Sequence, residues 1–163
     1  MKKYIYIILF VLLASMLAGG CTGLNNEKKA PQSAAQDTAW KESFQNNSLL
    51  LQTDFGNVGT SINDTKNTDY TTLAITGQNI IDDSDKAIAE NDQYNLSAKY
   101  QDAQKEWVLA LGDTKSAGKY MIMVADDGKK GNVNSENVQK VTSFSNSAQA
   151  HIKRTDTLIQ IAD

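Results

Sequence analysis

Residues 97 to 126 read SAKYQDAQKEWVLALGDTKSAGKYMIMVAD. Tyr100, Ala103, Trp107, Leu111, Ala117, Met121 and Val124 recur in this stretch at helical spacing. Steps of three and four gather side chains on one helix stripe, whereas a strand would alternate by two. The stretch therefore predicts one long amphipathic helix with a single buried face.

Three further segments carry the same period. In residues 37–62 it runs through Trp40, Phe44, Leu51, Phe55, Val58 and Ile62. In residues 68–93 it runs through Tyr70, Leu73, Gly77, Ile80, Ser84 and Ala87, flanked by Ile81 and Ile88. In residues 135–162 it runs through Val138, Val141, Ser145, Ala148, Ile152, Thr155, Ile159 and Ala162. Polar connections at 63–67, 91–95 and 127–132 separate the segments, and Gly128 reads as a helix C-terminal glycine. Asp37, Thr68, Ser97 and Ser135 are the expected N-caps, because their oxygens can accept bonds from free backbone N–H groups. The one proline, Pro31, precedes all of this, so no ring interrupts the helices. Gly56, Gly59, Gly77, Gly112 and Gly118 each cost up to about 1 kcal/mol within a helix. A glycine at a helix contact also permits close approach.

The expected fold is all-α: an antiparallel up-down-up-down four-helix bundle over residues 37–163. Folding the chain near positions 65, 95 and 131 sets the register. Trp40 then lies level with Asn91, Tyr100 and Ile161. Leu51 lies level with Ile80, Ala110 and His151, and Ile62 with Tyr70, Met121 and Val141. Each layer contains apolar partners, so local and global patterns agree.

Upstream, residues 1–21 read MKKYIYIILFVLLASMLAGGC. Two lysines precede an uncharged apolar run, and small residues lead into Cys21, the only cysteine. This is the layout of a secretory signal peptide. With the cysteine directly after the small residues, it resembles the lipobox of bacterial and archaeal lipoproteins. Leucine usually stands three residues before that cysteine; here the position holds Ala18, with Leu17 one step earlier. The resemblance implies cleavage after a signal of residues 1–20 and lipid on Cys21. An uncleaved anchor helix would leave the same domain on the same extracytoplasmic face of the cell membrane. Residues 21–36 have few apolar side chains and no period, and read as the lipidated cysteine and a flexible tether.

The chain has 16 Lys and Arg, two of them in the signal, against 19 Asp and Glu, so the mature part carries −5. That acidity argues against nucleic acid as a partner. It also makes the lipid or anchor helix, not headgroup charge, the membrane contact. With Cys21 used, no disulfide can form, and stability rests on the core.

Chemistry-bearing residues are sparse. His151 is the only histidine and reads as a half-buried edge residue of the fourth helix. Met121 lies about 15 Å from it along the axis, too far to share a haem iron. Met121 and Met123 point about 200° apart and cannot share a Cu(I) ion. Asp82, Asp83 and Asp85 read as a solvated face. No cofactor or metal is expected, and no nucleophile–base pair can be assembled, so the chain reads as non-enzymatic. Asn46-Asn47-Ser48, Asn63-Asp64-Thr65 and Asn95-Leu96-Ser97 fit the N-glycosylation acceptor, with Asn63 and Asn95 in expected loops. Trp40, Tyr100, Tyr94 and Asn91 gather at one end, as a packed bundle end or as the lining of a small pocket. The sequence thus points to a surface lipoprotein with a non-catalytic binding or interaction role and a protein partner. A small-ligand sensor or solute-binding helical domain is the alternative.

Overall fold

The computed structural model describes residues 32–62 and 68–163. They form an all-helical bundle of four packed helices: α1 (Gln32–Ile62), α2 (Tyr70–Asn91), α3 (Gln101–Lys129) and α4 (Ser135–Ala162). A short 3-10 turn, Ala98–Tyr100, leads into α3. Helix α3 is the central element, seamed along its length to α2 and to α4, while α1 packs chiefly on α2. Among the described residues no helix is long and apolar enough to cross a membrane. The lipobox with Cys21, most of the expected tether, and Asn63 lie outside the described residues.

Most of the periodic positions face the core, but Val138 is 38% exposed, and the side chains of Val58 and Ile62 lie outside what the structure describes. One core cluster joins Trp40, Phe44, Leu51, Ala87, Leu96, Tyr100, Trp107, Leu111, Ile152 and Ile159, among others. The second joins Leu73, Ile80, Met121, Val124 and Ala125, with Phe55 and Val141 packed against it. The hydroxyls on the stripes are satisfied locally. Ser84 donates to the Ile80 carbonyl at 2.7 Å, Thr114 to Ala110 at 2.8 Å and Thr155 to His151 at 2.9 Å. A buried hydroxyl that bonds back one turn leaves no orphan donor, so a core rich in Ser and Thr is tolerated.

The structure differs from the sequence reading at the helix ends. Helix α1 starts at Gln32, five residues before Asp37, so residues 32–36 are helix and not tether. This extra turn carries no apolar period. Its Gln36 accepts the Asn95 N–H at 2.8 Å, and Asp37 accepts the Ser97 N–H at 2.9 Å. Asp37 thus serves the α2–α3 connection instead of capping α1, and Ser97 makes no side-chain cap bond. Asp69, not Thr68, caps α2, accepting the N–H of Thr71 at 2.9 Å and of Thr72 at 3.2 Å. Asn134, not Ser135, caps α4, accepting from Glu136 at 2.9 Å. Both caps have the extended backbone that aims an oxygen at the first turn.

Helix α3 runs past Gly128 to Lys129. The left-handed residue is Gly131, with φ of 75°. Its N–H reaches the Gly128 carbonyl at 2.9 Å and that of Asn132 reaches Asp127 at 3.0 Å, which closes the helix in a Schellman turn. Gly128 has another reason to be glycine, because a Cβ there would fall 2.1 Å from the Tyr70 ring.

The expected register holds between α1 and α2 at the aromatic end and between α3 and α4, and slips between α2 and α3, while the Ile62 side chain lies outside the described residues. Trp40 Nε1 donates to Asn91 Oδ1 at 2.9 Å, and the Trp40 and Tyr100 rings lie 6.3 Å apart. Met121 and Val141 share the second cluster. Ile80, however, meets Gly118 and belongs to the second cluster, while Leu51 and Ala110 belong to the first. Gly77 faces Gly118, and Gln104 reaches back to the Asn91 carbonyl at 3.2 Å. Both pairs are symmetric about position 97 to 98, not 95, because the connection runs on through the 3-10 turn. The slip is about five residues, or roughly 7 Å along the axis. Ile161, placed level with Trp40, turns outward and is 76% exposed.

Candidate functional site

The densest gathering of aromatic and polar groups lies at the end formed by the start of α1, the α2–α3 connection and the end of α4. Trp40 and Phe44 stack at 6.1 Å, and Trp107 meets Phe44 edge-on at 5.0 Å. The stripes of α1, α3 and α4 converge here, so the rings fill the interior and do not line an opening. Trp40 is 1% exposed and Tyr100 2%. The packed-end reading of Trp40, Tyr100 and Asn91 is therefore the one realised, with the Trp40 N–H satisfied by Asn91.

Around Tyr100 the polar groups close on each other. Asp163 accepts from the Tyr100 hydroxyl and, at 2.7 Å, from Lys41 Nζ. Lys99 Nζ sits 4.6 Å from the Tyr100 ring centre and donates to the Ala162 carbonyl at 2.9 Å. The Lys41 hydrogen bond, followed by that of Tyr100, holds the Asp163 carboxyl below the ordinary aspartate value. Nearby, Glu90 accepts from Asn47 at 3.1 Å and Tyr94 at 3.2 Å. Hydrogen bonds from Ser43, Asn47 and Tyr94 hold its carboxyl low against the opposing effect of burial. These bonds tie α1 to α2 and α4. Lys41, Lys99 and Asp163 carry no sequence signal of their own. The level of Asp163 follows from the folding scheme, but its direction does not.

On the outside of this end lies a shallow, open depression of about 560 Å³. Tyr94, Val108 and Leu109 give it an apolar floor, and Gln104 and Lys105 stand among its lining. Gln104 also donates to the Tyr94 carbonyl at 3.3 Å. Tyr94 and Asn91 thus do contribute to a depression, but Trp40 and Tyr100 are not part of it.

His151 is half-buried on the α3–α4 seam. Its Nδ1 lies 2.7 Å from Glu106 Oε2, and its Nε2 3.9 Å from Asp113 Oδ2. Arg154 Nε pairs with the other Glu106 oxygen across 3.1 Å. Glu106 and Asp113 are seven residues apart, which puts both on one side of α3. This group stitches two helices through one carboxylate. Met121 is buried in the core while Met123 is 48% exposed, so the two face opposite ways. Among the described residues no three acidic, histidine or cysteine side chains converge as a metal site would require.

The acidic cluster is only partly a solvated face. Asp82 is exposed and accepts from Gln78, and Asp85 is held by Lys115 of α3 at 2.5 Å. Asp83 differs: its carboxyl is 18% exposed and accepts from Lys86 at 3.0 Å, and its charge adds to burial in holding the Asp54 carboxyl of α1 above the ordinary aspartate value. Of the acceptor asparagines, Asn95 is exposed in the α2–α3 connection, although Leu96 beside it is buried. Asn46 sits exposed on α1. No family model matches the chain, and no curated protein and no solved structure matches it either.

Proposed function

We propose that this protein is a lipid-anchored, extracytoplasmic helical bundle with a non-catalytic binding or interaction role at the cell surface. The observation that carries the reading is the single cysteine, Cys21, set directly behind an apolar stretch and a run of small residues. The way polar side chains are used supports the non-catalytic part. His151 and Glu106 bond each other across a seam, and Tyr100, Lys41 and Asp163 bond each other across an end. These are groups that enzymes recruit, and here they join helices.

The anchor also gives the bundle an orientation. Ten residues lie between Cys21 and Gln32, and the eleven Cα steps reach at most about 40 Å. The aromatic end, where α1 starts, then faces the membrane. The α3–α4 connection faces outward with Val133, Val138 and Met123 exposed beside it. Mass spectrometry of the membrane-purified protein tests the anchor: the expected N-terminus is a lipid-bearing Cys21, and an intact Met1 overturns it. A photo-cross-linker at Val133 tests the role, with capture of a defined surface protein as the expected result. The alternative is a small-ligand sensor, favoured by the depression beside Tyr94. A metabolite that co-purifies and is lost on Leu109→Asp would establish that alternative instead.

A further inference from the structure

Among the described residues, the side of α3 turned away from α2 and α4 is uncovered. Leu109, Ser116 and Met123 stand seven residues apart along it. Lys105, Gly112, Lys119 and Asp126 interleave with them at steps of three and four. That spacing makes one straight stripe, of the kind that buries a helix against a partner helix. Every position on it is exposed except Ser116, which is half-buried. Leu109 is 52% exposed and Met123 48%, so two large apolar side chains stand in water. Nothing lies within 4 Å of a Cβ added at Gly112, which leaves the middle of the stripe low and open. The charges on it are uncommitted. Lys105 pairs only with Asp102 of its own helix, at 2.8 Å, and both side chains are largely exposed. An exposed pair of this kind is weak and exchanges partners readily. Among the described residues neither Lys119 nor Asp126 is ion-paired.

We infer that this stripe is a docking surface for a second copy of the chain, with the two α3 helices antiparallel about a two-fold axis at Ser116. The order of the residues selects this partner. Turned end for end about Ser116, the stripe brings Leu109 level with Met123 of the second copy and Ser116 level with itself. Lys105 comes within one residue, or about 1.5 Å, of the level of Asp126. Asp102 reaches the level of Lys130, and Gly112 offers its open side to the stem of Lys119. Each of these contacts occurs twice, as a two-fold interface requires. The parallel arrangement fails on charge, because Lys105, Lys119 and Asp126 would each face themselves.

A contact through one helix buries little area, so the association is weak and concentration-dependent. The aromatic ends of the two copies point in opposite directions. Copies oriented by the anchor as proposed above therefore meet across facing membranes, while the pairing itself does not rest on the anchor.

Light scattering on the full chain in detergent, followed across a concentration series, tests the pairing. The wild type is expected to pass from monomer to dimer. Lys105→Glu sets acid against acid twice in each dimer and should weaken association by about tenfold or more. Adding Asp126→Lys reverses the pair and should restore association to within about threefold of the wild type, with helicity unchanged throughout. Lys153→Glu, on the exposed side of α4, should leave association as it was. A wild type that stays monomeric at every concentration overturns the proposal. So does a dimer that Lys105→Glu leaves intact, or one that Asp126→Lys fails to rescue, since either result places the contact elsewhere.

Discussion

Large rings fill one half of the bundle, and bare backbone closes the other. At the end that holds Trp40, Phe44, Tyr100 and Trp107, ring centres 5.0 to 6.3 Å apart occupy the space between helices. Some 16 Å along α3, eleven residues past Trp107, Gly118 meets Gly77 of α2. A methyl group on Gly118 would stand 2.7 Å from the Gly77 carbonyl, and one on Gly77 would stand 2.8 Å from the Gly118 carbonyl. The first half gains its stability from area removed from water, the second from helices near enough for their backbones to touch. The first half tolerates small displacements of its rings. The second cannot give way, because the atoms in the path are main chain.

The comparison can be broken most forcefully at Trp107. Trp107→Ala removes the ring on which Phe44 rests edge-on and is expected to cost about 3 to 5 kcal/mol in urea unfolding. A loss below about 1 kcal/mol would mean that the rings are not what holds this half. Gly118→Ala comes next. Alanine gains about 1 kcal/mol in helix propensity, but the overpacking against Gly77 should outweigh it and leave the protein destabilised by about 1 to 3 kcal/mol.

Gly112→Ala sharpens the same point on the same helix. Nothing lies within 4 Å of an added Cβ there, so only propensity remains, and the melting temperature should rise by an amount worth up to about 1 kcal/mol. If both alanines act alike, close approach is not the reason for Gly118.

The smallest expected effect belongs to the Lys41–Asp163 pair, which is partly exposed and worth below about 1 kcal/mol. The Asp163 carboxyl is held low, so its contribution is present above the ordinary aspartate value and lost as pH falls through the lower, folded-state value. Acid should therefore loosen the aromatic end slightly. Both tryptophans sit at the aromatic end, so their emission reports on it alone, and Asp163→Asn should remove the small acid-dependent change.

The existence and faces of the four helices were legible because burial imposes a period on the residues that face the core. Trp40, Leu73, Trp107, Met121 and Ile152 all stand on their expected stripes and are all buried. The end-on cluster of Trp40, Tyr100 and Asn91 was legible too, since short connections force antiparallel neighbours to share levels. Helix ends were less so. Asp69 displaces Thr68 and Asn134 displaces Ser135, each one residue away, because capping depends on a single extended residue that composition does not mark. Asp37 was misread as a cap because its true partner, the Ser97 N–H, lies 60 residues along the chain.

Sequence alone determined that this chain makes four amphipathic helices in antiparallel order behind an apolar stretch that ends at Cys21. Those features are local, carried by spacing within a few residues. The tertiary structure alone decided that α2 and α3 slide by about five residues so that Gly77 meets Gly118. It also decided that Glu106 takes both His151 and Arg154. Each of these depends on how far one helix travels past another. That distance is set by which surfaces fit when packed, and no single helix carries it in its own period.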